Sequence, residues 1–356
     1  MAKAMDILAQ VLRSVRLSGA VLFRGEFSSP WSLAAPDSRL AAPFLVPGAK
    51  SLIFFHVVTE GRCSVAVDQK EPFLLSTGDV IALPYGDPHA MGNPLAATHT
   101  PLANVLTPLP WPECPIVVHG GGGERTQLIC GFLHCDDALF SPVITKLPRI
   151  LWVRARAEPS TSWLETNCRY MLEEASVNRP GGACVLGRLA ELLFVEVLRR
   201  KMEELGEDEV GWLAAVKDPT VGKALELIHG DLAHPWTVEA LGRSVGLSRS
   251  ALAERFRHLL GEPLMRYLTR WRLQWAAQLL RDTDRGLADI AAQVGYSSEF
   301  AFNRAFKRFA GEPPASWRRE AKGGDDPHAG SIQKAERGQD KSPRAARPNS
   351  DARARS

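Results

Sequence analysis

The sequence predicts an α+β chain: an antiparallel β unit, then a helical hairpin, then an all-α segment carrying two helix-turn-helix motifs. Three observations lead there. Short apolar runs bounded by Gly, Pro and Asp extend to about residue 150, after which the hydrophobic period becomes that of a helix. The stretch "GLSRSALAERFRHLLGEP", starting at Gly246, then recurs from Gly295 as "GYSSEFAFNRAFKRFAGEP".

The 356 residues leave room for about two domains, and a hydrophobic content of 45% is ordinary for a globular chain. No uninterrupted apolar run approaches the roughly 20 residues a membrane span requires. The opening "MAKAMDILAQVLRSVRLSGA" interrupts its apolar residues with polar and charged ones, so it lacks the core of a secretory signal. A cytoplasmic location, with no membrane partner, is the expectation. Cys63, Cys114, Cys130, Cys135, Cys168 and Cys184 are scattered without a C-x-x-C pair, a usage that suits a reducing compartment. The net charge of +3 is unevenly spread: residues 1–218 carry 20 basic against 24 acidic side chains, residues 219–320 carry 15 against 11, and residues 321–356 carry 8 against 5. The basic excess falls on the half with the recurring stretch, which suggests a polyanionic partner there.

The runs "SLIFFHVV", "CSVAV", "PFLLS", "DVIALP", "PIVVH" and "TQLICGFLH" read as strands of a sandwich or barrel. Next, "STSWLETNCRYMLEEASVN" and "CVLGRLAELLFVEVLRRKMEELGE" carry apolar residues at helical spacing, the second at Leu189, Leu192, Leu193, Val195 and Leu198. The break "RPGG" makes them a hairpin, whose apolar stripe asks for a partner and is the expected homodimer surface. Helices with short Gly and Pro breaks occupy residues 219–320. Residues 321–356 have almost no large apolar side chain and read as a disordered basic tail.

In the first copy Thr237 is placed to cap a short helix, Gly246 to stop it and Ser248 to cap the next, the layout of a helix-turn-helix. Gly242 supplies the small residue where the two helices meet. The second copy repeats the layout with Ala291, Gly295, Phe302 and Phe306, one residue longer in its turn, after which the match runs at an offset of fifty. At 100° per residue, Leu252, Phe256 and Leu259 share an inner face and Ser250, Glu254 and Arg257 lie opposite. In the second copy Phe302, Phe306 and Phe309 face inward, leaving Phe300, Arg304 and Lys307 outside. Between the copies "PLMRYLTRWRLQWAAQLLR" is an unbroken helical run of about 28 Å, close to the roughly 34 Å between major grooves on one side of a duplex. Its Tyr267, Trp271 and Trp275, spaced by four, read as core or domain contact.

Residues 219–319 resemble the paired helix-turn-helix domain of the AraC/XylS family of bacterial transcription regulators. The resemblance is carried by "WTVEALGRSVGLSRSALAERF", "GEPLMRYLTRWRLQWAAQLL", "IAAQVGYSSEFAFNRAFKRFAGEPP" and "SWRR". It implies that the second helix of each copy enters a major groove of double-stranded promoter DNA. The base-reading candidates are then Ser250, Ala253 and Glu254, and Phe300, Asn303 and Arg304. Arg304 suits a guanine edge, Glu254 a cytosine amino group and Phe300 a thymine methyl. Arg249, Arg257, Ser298 and Lys307 are candidate phosphate contacts, and Ser248 and Glu299 complete the set.

Upstream, "RGEFSSPWSL", "GDVIALPYGDPH", "GGGGERTQLICGF" and "GWLAAVKDP" resemble the cupin-type sensor half of one AraC subgroup, which includes reactive-chlorine-responsive regulators. This implies a cupin-like antiparallel β-barrel over residues 1–155, with hairpin and linker at 156–218. "GDVIALPYGDPHAMGN" fits the second cupin motif and aims His89 into the barrel mouth. His56 and Glu60 keep the spacing of the first motif, where Phe54 takes the place of a further histidine. Two histidines and a carboxylate suit a divalent metal or a small-molecule effector. No other cofactor is expected. "CGFLHC", with His119 nearby, leaves open a zinc site, an oxidant-sensing Cys130 or plain structural cysteines, although strand alternation puts Cys130 and His134 on one face and Cys135 on the other. "GGGGERT" lacks the lysine of a phosphate loop and reads as a hairpin turn.

The combined expectation is a transcription regulator whose barrel receives a small molecule or an oxidant, with RNA polymerase and a second copy of the chain as candidate partners. A metal-dependent cupin enzyme with a DNA-binding appendage is the alternative, and a scaffold using its helices only for protein contacts is a third reading.

Overall fold

The computed structural model describes residues 7–323 apart from 15–16, 69–70, 97, 108, 110, 112–113, 136–143, 155–161, 178 and 207. Helix α1 (Ile7–Ser14) leads into β1 (Leu17–Ser28) and β2 (Trp31–Ala35), followed by α2 (Ser38–Leu45). Then come β3 (Ile53–Glu60), β4 (Arg62–Val67), β5 (Phe73–Ser76), β6 (Val80–Leu83), β7 (His89–Asn93) and β8 (Thr100–Pro101). The β region closes with β9 (Ile116–Gly120), β10 (Arg125–Cys135) and β11 (Leu151–Val153). The helices after it are α3 (Ser162–Ser176), α4 (Gly182–Glu204), α5 (Trp212–Lys217), α6 (Val221–Gly230), α7 (Val238–Val245) and α8 (Arg249–Leu260). Last are α9 (Leu264–Asp282), α10 (Leu287–Gln293), α11 (Glu299–Ala310) and α12 (Pro314–Gly323). The chain forms two compact units, Met1–Trp275 and Ala276–Ser356, and α9 passes from one to the other without a break.

The strands of the first unit make two sheets, ordered β11-β6-β3-β10-β1-β9 and β5-β4-β7-β2-β8. The expected antiparallel barrel thus takes the form of a β-rich unit with two separately paired sheets, in which the β1/β9 and β2/β8 pairs are parallel. Strands β3, β6 and β10 of the larger sheet are buried on both faces, so they read as continuous apolar runs. Along β3, Phe54 and Val58 point into the core shared with the second sheet, while Ile53, Phe55 and Val57 point into the core shared with the helices. β10 divides the same way, with Leu128, Cys130 and Phe132 on the inner side and Ile129, Leu133 and Cys135 on the helical side.

The hairpin α3–α4 forms as its spacing predicts, but its stripe finds a partner within the chain. Leu186, Ala190, Leu193, Phe194, Val197 and Leu198 are buried in the core shared with the larger sheet. The residues read from the sequence split: Leu193 and Leu198 are inside, Leu189 and Val195 are half-buried, and Leu192 is 51% exposed. Close packing needs two glycines. A Cβ on Gly187 of α4 would lie 2.5 Å from the Gly19 carbonyl oxygen of β1, and one on Gly19 would lie 2.6 Å from that of Gly187.

The segment "GGGGERT" is not the expected hairpin turn between neighbouring strands, because β1 lies between β9 and β10 in the sheet. The glycines instead wrap the β1–β2 corner. The Gly121 N–H donates to the Ser28 carbonyl (3.0 Å), that of Gly122 to Ser28 Oγ (2.9 Å) and that of Gly123 to the Ser29 carbonyl (2.8 Å). A Cβ on Gly121 would sit 2.5 Å from Pro30 Cδ, and one on Gly123 would sit 2.6 Å from Ser29 Oγ. These amides are used inside the protein and offer no cradle for a phosphate.

Short α5, from the segment read as linker, is packed under α8: Trp212 is fully buried and the Gly211 N–H donates to the Leu259 carbonyl (2.8 Å). Trp212 Nε1–H donates to the Tyr267 hydroxyl (3.2 Å), which lies 2.9 Å from His229 Nε2, and His229 stacks on Trp271 with centroids 4.2 Å apart. Tyr267 and Trp271 are therefore core, as their spacing predicts, and Trp275 is half-buried. The expected tail from residue 321 begins within α12, and residues 324–356 lie outside the described residues.

Candidate nucleic-acid interface and sensor cavity

Each helix-turn-helix is built from local signals. In the first, Thr237 Oγ1 accepts from the Ala240 N–H (3.1 Å), Gly246 turns the chain at φ 75°, and Ser248 Oγ accepts from the Ala251 N–H (3.2 Å) to start α8. In the second, Gly295 adopts φ 80° and Ser298 Oγ accepts from the Ala301 N–H (3.2 Å) to start α11. Gly242 sits where α7 meets the turn, since a Cβ there would approach the Leu247 carbonyl oxygen to 2.8 Å. Such caps satisfy helix-end amides and stabilise by about 1 kcal/mol each.

Burial separates the two sides of each helix. On α8, Leu252, Phe256 and Leu259 are buried, whereas Ser248, Arg249, Ser250, Glu254 and Arg257 are exposed and Ala253 is half-buried. On α11, Phe302 and Phe306 are buried and Phe309 is half-buried, while Ser298, Glu299, Arg304 and Lys307 are exposed and Asn303 is half-buried. Phe300 is 71% exposed, and the Arg304 guanidinium carbon lies 5.8 Å from its ring centroid. This aromatic beside a cation on an outward helix face serves no core. The hydroxyls of Ser248 and Ser298 are already engaged as caps, which suits phosphate-adjacent positions better than base reading.

Sequence reasoning passed over Arg255. Its guanidinium holds Asp218 (2.6 Å), and Asp218 also accepts from the Thr220 and Val221 amides (2.9 and 2.8 Å). Burial by itself raises the Asp218 pKa, but Arg255 and those amides outweigh it and hold the carboxyl at about 2. The pair ties α8 to the start of α6, so Arg255 is a brace. The available signal was Asp218 just ahead of a helix start, a capping position.

Within the β region a cavity of about 400 Å³ opens between the sheets, lined by Phe23, Phe54, Trp111 and other apolar side chains, with His56, His89 and Cys130 among them. All three polar side chains are buried. Their contacts form a chain: Cys130 Sγ to His56 Nδ1 (2.9 Å), His56 Nε2 to His89 Nε2 (2.8 Å), and His89 Nδ1 to the Asp87 carbonyl oxygen (2.9 Å). A carbonyl only accepts, so His89 Nδ1 carries hydrogen and its Nε2 is the lone pair. His56 must then donate from Nε2 and accept at Nδ1, and the Cys130 thiol must keep its proton and donate it there. Burial acts in the same sense. It pushes the Cys130 thiol well above its usual pKa, with Cys63 and Cys114 adding to this, and it lowers both imidazoles, with His89 further lowering His56.

This geometry does not fit the expected metal triad. Glu60, at the exposed end of β3, does not line the cavity, and both ring nitrogens of each histidine are used within the chain of contacts. Among the described residues no group of three His, Cys, Asp or Glu side chains is placed to hold a metal ion. The second cysteine chemistry separates as alternation requires, with Cys130 in the inner core and Cys135 in the helical one. The sequence carries no signal for the His56–His89–Cys130 cluster beyond the two motif histidines, because it depends on β3, β7 and β10 meeting at one place.

Residues 6–203 match the family model described as Cupin, and residues 241–320 match the one described as Helix-turn-helix domain. A putative AraC-like transcription regulator of Streptomyces lividans is 32% identical over 311 residues, spanning 81% of this chain and 96% of the relative. Its counterpart in Streptomyces antibioticus is 31% identical over 296 residues, again 81% and 96%. The HTH-type transcriptional regulator AlkR of Acinetobacter baylyi is 28% identical over 321 residues, 89% of this chain and 100% of the relative.

Proposed function

Since the chain belongs to the AraC-like family of transcription regulators, we propose that its output depends on α8 and α11 reading promoter DNA and on an effector held between the sheets. DNA binding through the helix-turn-helix domain is the family's property. The assignment of individual contacts rests on one observation: two capped helices present matched outward faces with no structural use for Arg257, Phe300, Arg304 or Lys307 within the fold. Arg304 and Glu254 read bases, and Arg249, Arg257 and Lys307 hold phosphates.

The cavity supports a receptor in preference to a catalytic centre, because its histidines and thiol are engaged with one another and Glu60 stands apart. It also supports a bound molecule in preference to an oxidant, since oxidant-sensing thiols are accessible and of low pKa, whereas Cys130 is 2% exposed and its thiol is pushed upward. Trp163, Tyr170 and Leu192, left exposed on the hairpin, support a second copy of the chain as partner. RNA polymerase is a natural further partner, and the working place is the cytoplasm. Among the described residues no helix is long and apolar enough to cross a membrane.

Selection of bound fragments from the host genome with the full chain supplies the operator. On it, Arg304→Ala is expected to lose about 1–3 kcal/mol and to relax preference at one base position, whereas Lys307→Ala weakens all sequences alike and flattens the salt dependence. Equal effects of the two variants on all sequences would overturn the assignment.

A further inference from the structure

We infer that the cavity between the sheets takes an uncharged, mainly hydrocarbon molecule, which lies against apolar side chains from floor to mouth and makes no bond to the histidines. This rests on reading the cavity as the effector site. Among the described lining residues none is Asp, Glu, Lys or Arg; the side chains with polar atoms are His56, His89, Cys130, Thr107 and Trp111, whose indole N–H already donates to the Thr107 carbonyl (2.7 Å). The first three form one directional chain of hydrogen bonds that ends on the Asp87 carbonyl. Every imidazole nitrogen is thereby spoken for, and a ligand carboxylate or ammonium reaching the floor would be buried without a partner. Breaking into the chain would instead strand a neighbouring group in the same apolar place.

The mouth repeats the preference. Leu40 and Phe44 of α2 line the cavity yet are 67% and 76% exposed, and Leu109, which also lines it, is 45% exposed. Large side chains left so bare contribute little to the fold and gain most when an apolar guest covers them. At the ~30 Å³ a water occupies in the liquid, the space holds roughly a dozen non-hydrogen atoms, the size of a medium-length alkyl chain or a small ring system.

The test titrates the full chain with 1-decanol, decanoate and decylammonium, following thermal stability and calorimetric affinity, and repeats each titration with the selected operator present. Decanol is expected to stabilise the protein and to bind about tenfold more tightly than either ion, or better. Ala41→Trp, which fills the cavity, should abolish the decanol response. Should that variant misfold, Phe44→Lys at the exposed mouth should still fold and weaken decanol binding severalfold. An ion that binds as tightly as decanol, or a folded protein that binds none of the three, overturns the inference. If decanol binds but operator affinity is unmoved, the ligand class stands and the effector role fails. If a charged probe binds and shifts operator affinity, the effector role stands and the class fails.

Discussion

His229 lies 2.9 Å from the Tyr267 hydroxyl and stacks on the ring of Trp271, and burial lowers its pKa to about 3. In the unfolded chain it titrates near 6.5. Between those two values the unfolded state binds the additional proton, so this contribution to stability is whole above pH 6.5 and is lost as the pH falls towards 3. The limiting slope is about 1.4 kcal/mol per pH unit. Urea midpoints of the native chain and of His229→Gln, whose amide oxygen can still accept from Tyr267, should converge as the pH drops from 7 to 4, on the order of one proton's worth. Parallel curves would mean that His229 is already charged in the fold. The same reasoning applies to His56 and His89, both buried and lowered, so the difference between the two proteins, not the total slope, isolates His229. None of this was legible in the sequence. Burial keeps the cavity histidines neutral, their tautomers follow from the direction of a single backbone carbonyl at Asp87, and no residue type announces that.

Among the elements, the contact of α4 with β1 is set by a pair of glycines facing each other, Gly19 and Gly187. Two effects oppose one another in Gly187→Ala. Helix propensity favours alanine by about 1 kcal/mol, but the new methyl would stand 2.5 Å from the Gly19 carbonyl oxygen, and that backbone is held by its pairing with β10. Overpacking of this kind costs about 1–3 kcal/mol, so the variant is expected to unfold at lower urea, while unchanged or raised stability would show that α4 can lift off the sheet. Caps and breaks made the helix-turn-helix elements readable in advance, because Thr237, Ser248, Ser298 and the glycines act over three or four residues. The strands β3 to β6, β9 and β10 were readable as apolar runs. Strands β1 and β2 were not: "LSGAVLFRGEFS" mixes charged and small residues with apolar ones, and only its neighbours β9 and β10 make it a central strand. Glu60 shows the limit of spacing. It is at the position a metal ligand would take, but β3 carries it to an exposed strand end.

For the whole molecule, the surface that matters is presented by helices whose inner faces are fully occupied. Phe256, Phe302 and Phe306 have no exposed surface, each contributing about 1.5–3 kcal/mol of burial, whereas Arg257, Arg304 and Lys307 stand exposed on the same helices. A ligand in the cavity acts on the β region, which shares a core with α3, α4, α5 and the first helix-turn-helix. Covering of the mouth can therefore shift populations of that unit only through differential affinity for its states.

Both helices are expected to read DNA, each its own stretch of major groove. Chemical protection of the selected operator by the full chain, beside the double variant Phe300→Ala/Arg304→Ala, measures this directly. Two protected major-groove stretches centred about 10 base pairs apart are expected, with the variant erasing one and sparing the other. A single protected stretch, or a variant that leaves both intact, would contradict it.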